Sequence, residues 1–270
     1  MGNAHGSILV NGERRVRLKE VDAADTRGLG SEAEARARLA EDLERLRDLQ
    51  QRLVADARYA LLVVLQAMDT GGKDGTIRHV MSGLNPAGCA VTSFKAPTAT
   101  ELAHDYLWRI HQAVPPRGMV GVFNRSHYED VLVVRVHELV PGRVWKARYR
   151  QINQFERHLT ENGVTILKFY LHISKAEQAR RLRERIADKT KNWKFADGDL
   201  AERKRWGDYM RAYEDAINEC GTEWAPWHVV PADHKWARDA VVARAMVEAL
   251  ESLDLRFPKP KTDLSKLIVR

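Results

Sequence analysis

A chain of 270 residues with 44% hydrophobic and 30% charged composition is long enough to bury a core and polar enough to fold in water. No apolar run reaches the roughly 18 residues of a membrane helix, and "MGNAHGSILVNGERR" lacks the apolar stretch of a secretory leader; Gly6 stands where N-myristoylation wants Ser or Thr. The net charge of +7 points to polyanionic partners, and two lone cysteines, Cys89 and Cys220, exclude a C-x-x-C metal site and suggest a reducing cytoplasm.

Residues 1–30 read as an irregular arm. Ser31 and Glu34 form a capping-box pattern, and Leu39, Leu43, Leu46, Leu49 and Leu53 recur at helical spacing, so a helix is expected over 31–57. "YALLVVLQAM" then reads as a strand buried on both faces of a parallel sheet. A glycine-rich turn follows, then "GTIRHVMSGL" as a helix. Further strands are expected at "CAVTSF", "GMVGVF", "TILKFYLHI" and "PWHVVPA". Helical patterns fall near 98–113, 126–139, 145–162, 174–187, 200–219 and 234–253. This alternation predicts a three-layer α/β domain with a mostly parallel sheet. Neither an internal repeat nor a Gly/Ser linker divides the chain, so one domain is expected over 1–270, with 257–270 as a surface tail.

The turn "AMDTGGKDGT" compares with the phosphate-binding pattern G-x-x-x-x-G-K-S/T. Gly72 and Lys73 match; Ala67 and Asp74 do not. Small residues at Gly71, Gly72 and Gly75 let backbone N–H groups converge on phosphate oxygens. The helix beginning near Lys73 turns its positive end to an anion, and Lys73 adds a full charge. Thr76 is displaced from the position of the usual magnesium ligand, so Asp69 is the better candidate for a hard cation. An ordinary strand–turn–helix connection is the competing reading.

A second constellation is "GVFNRSHYEDVL", where a strand end delivers Asn124 and Arg125, with Glu129 and Asp130 one turn later. Ligands in parallel α/β sheets sit beyond the carboxyl ends of strands, which would bring this segment to the glycine turn. Asn124 stands where P-loop enzymes often carry an aspartate, and Glu129 and Asp130 can supply the missing charge. His127 is read as a hydrogen-bonding or packing residue. The third feature is the basic stretch 180–211, in which Arg181, Arg185 and Lys189 share one helical face before "ADKTKNWKFADGDL" breaks the periodicity. It suits a helical lid over phosphates, and equally a solvated helical hairpin.

Together, "LQAMDTGGKDGTIRHVMSGLNPAG", "SFKAPTATELAHDYLWRIH", "GVFNRSHYEDVLVVRVHE", "RERIADKTKNWKF", "RWGDYMRAYEDA" and "APWHVVPADHKWARD" resemble the polyphosphate kinase 2 family over roughly residues 10–258. The resemblance implies a P-loop kinase fold similar to thymidylate kinase, with a helical lid. It implies phosphoryl transfer between inorganic polyphosphate and AMP, ADP and ATP, with guanine nucleotides as further acceptors and Mg²⁺ (or Mn²⁺) as cofactor. Carried over by motif, the metal carboxylate is Asp69, the loop lysine Lys73, the second-strand arginine Arg125, and the lid arginines Arg181 and Arg211, with Arg185 as an alternative. Thr70, Gly71, Gly72, Asp74, Gly75 and Thr76 are expected around the phosphates, with Lys95 and Arg135 as further contacts. Asn124 with Glu129, the latter a second metal ligand, resembles the class III-like subgroup that accepts both AMP and ADP. The resemblance also implies a homo-oligomer in the cytoplasm, without nucleic-acid or membrane partners. An ATP-dependent nucleoside monophosphate kinase, a kinase restricted to nucleoside diphosphates, and a non-catalytic polyanion binder are the rival readings.

Overall fold

A computed structural model describes residues 6–195 and 197–263; residues 1–5, Ala196 and 264–270, which belong to the expected arm, lid and tail, lie outside the described residues. The strands are β1 Ile8–Val10, β2 Ala60–Ala67, β3 Cys89–Ser93, β4 Val120–Asn124, β5 Val164–His172 and β6 Trp227–Pro231. They form a sheet in the order β1-β6-β5-β2-β4-β3. Every neighbouring pair is parallel except β1 with β6. The helices are α1 Glu32–Asp56, α2 Lys73–Val80, α3 Ala99–Leu102, α4 Trp108–Ala113, α5 Val133–Val136, α6 Gly142–Glu161, α7 Lys175–Ala187, α8 Asp197–Lys204, α9 Trp206–Cys220 and α10 Lys235–Glu251.

The three layers follow from side-chain alternation in β2, all eight of whose residues are buried. Leu61, Val63 and Leu65 face a core with Leu46, Leu49 and Leu53 of α1 and Val242, Met246 and Leu250 of α10. Leu62 and Val64 face the opposite core, with Ile152 and Leu159 of α6 and Tyr209, Tyr213 and Ile217 of α9. The Ser31–Glu34 capping box starts α1 as expected. Among the described residues no helix is long and apolar enough to cross a membrane.

Four local expectations are corrected. The arm contains β1, which adds an antiparallel edge to β6 through Ile8, Leu9 and Val10. The helix expected over 98–113 is two short helices, because the Asp105 carboxylate accepts the backbone N–H of Leu107 and turns the chain between them. The helix expected over 126–139 is a 3₁₀ turn, His127–Asp130, capped by Ser126 Oγ, followed by the four residues of α5. That segment is rich in β-branched valines, which are weak helix formers. The helix over 200–219 is interrupted at Arg205, whose guanidinium reaches across to the carbonyl of Val136 at 3.0 Å.

Candidate active site

The carboxyl ends of β2, β3, β4 and β6 surround a cavity of 660 Å³. Its floor is the turn from Asp69 to Gly75; one wall is Ser93, Phe94, Lys95, Asn124 and Arg125; the facing wall comes from α7, the segment after it and α8. Nine lysines and arginines line it against four carboxylates, Asp69, Asp74, Glu184 and Asp199. An excess of that size attracts a multiply charged anion.

The turn after β2 is built so that only glycine fits at two places. A Cβ on Gly71 would lie 2.5 Å from Ala67 Cβ and 2.7 Å from the Met68 carbonyl oxygen. Gly72 has φ +107°, and a Cβ there would overlap Arg238 Nη1. Thr70 also adopts positive φ, 62°, so the chain bends sharply before α2 begins at Lys73. The backbone N–H groups at the start of α2 thus lie on the cavity floor, an arrangement suited to phosphate oxygens. Lys73 is buried, and its Nζ donates to the Ala67 carbonyl at 3.0 Å. Tyr213 Oη donates to the same carbonyl at 3.0 Å. Burial pushes the Lys73 ammonium pKa down, the Arg125 guanidinium adds to this, and Asp69 opposes it.

Arg125 sits at positive φ, 63°, immediately after β4, and its Nη2 donates to Asp69 Oδ1 at 3.0 Å. Burial lowers its affinity for a proton, but the carboxylates of Glu129 and Asp69 raise it by more. Asn124 Nδ2 donates to Asp74 Oδ1 at 2.8 Å, so the β4 end and the glycine turn are tied side chain to side chain. Glu129 does not line the cavity; burial raises its carboxyl pKa while Arg125 and Lys73 pull it back. Thr76 is also off the cavity surface, and its buried Oγ1 has no hydrogen-bond partner among the described residues.

Arg181 is buried and ties the turn to the sheet. Its Nε donates to Glu177 Oε1 at 2.6 Å, its Nη1 to the carbonyls of Thr70 and Gly71 at 3.1 Å each, and its Nη2 to those of Ala232 and Asp233 at 2.5 and 3.2 Å. Arg185 lines the cavity and pairs with Asp199 at 3.0 Å. Lys95 also lines it, its carbonyl held by Arg109 at 2.9 Å. Arg211 and Arg135 are not brought to the cavity. Arg211 is exposed and pairs with Asp208, whereas Arg135 pairs with Asp215 at 2.7 Å and lies over the Trp145 ring.

Four cavity cations escaped the residue-by-residue reading: Arg78, Lys191, Lys235 and Arg238. Arg238 is 1% exposed, lies under Gly72 and Gly75, and is held by Asp239 Oδ1 through Nε and Nη2 at 2.8 and 2.6 Å. Its only signal in the sequence was position, in "ADHKWARD" directly after the last strand. Gln178, whose Nε2 holds the Asp69 carbonyl at 3.0 Å, carried no signal.

The donor set fits a hard divalent cation with few protein ligands. Asp69 is 26% exposed by side chain and faces the cavity beside Asp74 and Asn124. Among the described residues no group of three or more His, Cys, Asp or Glu side chains is placed to hold a metal. A cation bound chiefly by phosphates and water, with one or two carboxylates, has the coordination habit of Mg²⁺.

Comparison with known proteins agrees with this geometry. Residues 30–258 match the model of the family described as polyphosphate kinase 2. The chain is 52% identical over 261 residues to an AMP/ADP-polyphosphate phosphotransferase of Meiothermus ruber, covering 96% of this chain and 98% of that one. It is 51% identical over 229 residues to an ADP-polyphosphate phosphotransferase of Rhodopseudomonas palustris, covering 80% of this chain and 79% of that one. The crystal structure of polyphosphate kinase 2 from Arthrobacter aurescens TC1 superposes with a TM-score of 0.91 at 47% identity, covering 93% of this chain and 90% of that chain. The six-stranded, mostly parallel sheet with its glycine turn is a P-loop kinase fold, and the chain belongs to the polyphosphate kinase 2 family of phosphotransferases.

Proposed function

We propose that the chain transfers the terminal phosphoryl group of inorganic polyphosphate to AMP and to ADP, giving ADP and ATP. The observation that carries this reading is the cavity itself: a glycine turn and helix start on the floor, with nine cations against four carboxylates around it. A terminal phosphate oxygen of the nucleotide attacks the end phosphorus of the polyphosphate. The new P–O bond forms as the P–O–P bridge breaks, and polyphosphate leaves one phosphate shorter. The attacking oxygen is already anionic, so no strong general base is required. Catalysis then lies in alignment and charge neutralisation. Lys73 and Arg125 stabilise the transferring group, and the N–H groups of Gly72 to Gly75 orient its oxygens. Arg181 keeps the turn in shape, and Arg185, Lys191 and Lys95 steer the polyanion. Mg²⁺, with Mn²⁺ as substitute, would be held by Asp69, with Glu129 or Asp74 nearby, and supplies charge neutralisation when bound. The segment 180–211 acts as a lid, and Arg211 reaches the phosphates only when it closes; Arg135 would contact nucleotide in the same closed form. Acceptance of AMP as well as ADP is supported by the occurrence of Asn124 and Glu129 together in "FNRSHYEDVL" and by the similarity to the AMP/ADP-polyphosphate phosphotransferase of Meiothermus ruber. A second reading, ADP alone as acceptor, is favoured by the nearly equal identity to the Rhodopseudomonas palustris protein. Guanine nucleotides as acceptors, a homo-oligomeric state and a cytoplasmic site complete the proposal.

The test is a donor and acceptor matrix. Purified protein with Mg²⁺ receives AMP or ADP, and either polyphosphate or GTP, and nucleotides are resolved by chromatography. ADP and ATP from AMP with polyphosphate alone are expected. Product from ADP but not AMP would select the second reading, and product with GTP alone would overturn both. Lys73→Ala is expected to lower kcat by about 100-fold or more without changing the melting temperature by more than a few degrees.

A further inference from the structure

A second basic surface lies away from the cavity. On α6 the exposed residues Arg143, Lys146, Arg150 and Arg157 follow one another at intervals of 3, 4 and 7 positions, so they form a line along one helix face. At 1.5 Å per residue the line is roughly 20 Å long. On α1, by contrast, three of the arginines are paired within the helix, Arg36 with Glu32, Arg47 with Glu44 and Arg52 with Asp48. On α6 none of Arg143, Lys146 and Arg150 has an ion-pair partner among the described residues. The acids nearest the far end are already engaged, Glu161 by Arg157 and Glu219 by Arg15.

The line leads into a cavity of 350 Å³ between α6 and the end of α9, lined among others by Lys146, Arg150, Asn153, Arg157, Glu219 and Trp224. Trp224 Nε1 and Asn153 Oδ1 are buried there without a hydrogen-bond partner among the described residues. The direction of the line is also fixed. Arg148, near the start of α6, donates to the carbonyl and carboxylate of Asp130 at 2.9 and 3.0 Å, at the catalytic end of the sheet. Trp224 lies three residues before β6, at the opposite end.

We propose that this face of α6 is an accessory binding track for polyphosphate, engaging a segment of chain remote from the end that reacts. The inference rests on polyphosphate being the donor. Phosphate chains are favoured over nucleic acid because the aromatic faces here are occupied. Trp145 is covered by Arg135 at 4.5 Å and Lys146 at 5.5 Å, and Trp224 by Arg157 at 5.4 Å, which leaves little ring face for bases to stack on. Row-spaced cations without stacking platforms suit a chain that is all phosphate.

The experiment compares wild type with the triple variant Lys146→Ala, Arg150→Ala and Arg157→Ala, using ADP as acceptor. Polyphosphate of about a hundred phosphates and polyphosphate of fewer than about ten serve as donors. Binding of the long chain is measured separately, with RNA as competitor at equal phosphate concentration. The expected result is a KM for long chains raised roughly tenfold, with kcat and the short-chain KM unchanged. Unchanged KM for both lengths, or an equal rise for both, would overturn the track. RNA displacing polyphosphate from wild type but not from the variant would instead assign the face to nucleic acid. If wild type turns over neither donor, the proposed donor is wrong, and the binding measurement still reads the α6 face by itself.

Discussion

Arg181 shows how one cavity-lining side chain can serve the site through the backbone it holds. All five of its N–H groups are engaged, one by the Glu177 carboxylate and four by carbonyls of the glycine turn and of the chain after β6. A planar fork fits these acceptors, whereas lysine offers three donors from one point. Arg181→Lys is therefore expected to cost about 3 kcal/mol of stability and to lower kcat as the turn loosens. Denaturant unfolding and steady-state kinetics would check it; normal stability with lost activity would make Arg181 a direct phosphate contact instead. Its partner gives a pH signature. Burial pushes the Glu177 carboxyl up, but hydrogen bonds from Arg180 and Arg181 outweigh this and hold its pKa below the usual value. A carboxylate depressed in the folded state stabilises above its unfolded pKa, and that contribution fades as pH falls through the folded pKa. Melting temperature should thus drop as pH is taken below the ordinary glutamate range, and Glu177→Gln should flatten part of that drop. Parallel profiles for the two proteins would mean that other carboxylates set the acid limit.

At the scale of elements, β5, α6, the 3₁₀ turn after β4 and the end of α9 meet at one buried ammonium. Lys168 Nζ donates to Glu156 Oε2 at 2.5 Å, Tyr128 Oη at 2.8 Å and the Cys220 carbonyl at 2.7 Å. Tyr128 Oη and His127 in turn reach Glu156 Oε1 at 2.8 and 3.2 Å. Lys168→Met removes the cation and leaves a buried carboxylate, so a loss of about 3–5 kcal/mol is expected by denaturant unfolding. A loss below about 1 kcal/mol would mean that Glu156 takes up a proton at little cost once the lysine is gone, and that the ion pair adds little to stability. This junction was not legible in the sequence. "TILKFYLHI" reads as a strand with one polar residue, and nothing local says that its lysine meets a glutamate, a tyrosine and a carbonyl from three other elements. The hydrophobic run of β2, the glycine turn and the charged end of β4 were legible, because each is a local pattern with a local cause. What escaped was set by distant pairing: β1, three residues that find β6 across more than two hundred positions, and Arg238, placed under Gly72 only by the return of α10.

For the whole molecule the question is how a net charge of +7 is used. Much of the surface neutralises itself through short-range pairs such as Arg45 with Asp48 and Glu251, and Arg244 with Asp42 and Glu248. The excess gathers instead at the cavity beyond the strand ends and along α6. Fields of this kind act mainly on encounter and on long polyanions, because each contact with a phosphate chain releases condensed counterions. A nucleotide carries few charges and engages few of these cations at once. Raising salt from about 50 to about 200 mM should therefore cut kcat/KM for long-chain polyphosphate by at least roughly tenfold, and that for ADP by no more than about threefold. The two are separated by varying one substrate with the other saturating. Equal losses would mean that ionic strength acts on the lid or on folding stability, and that the concentrated charge has no special bearing on the polymeric substrate.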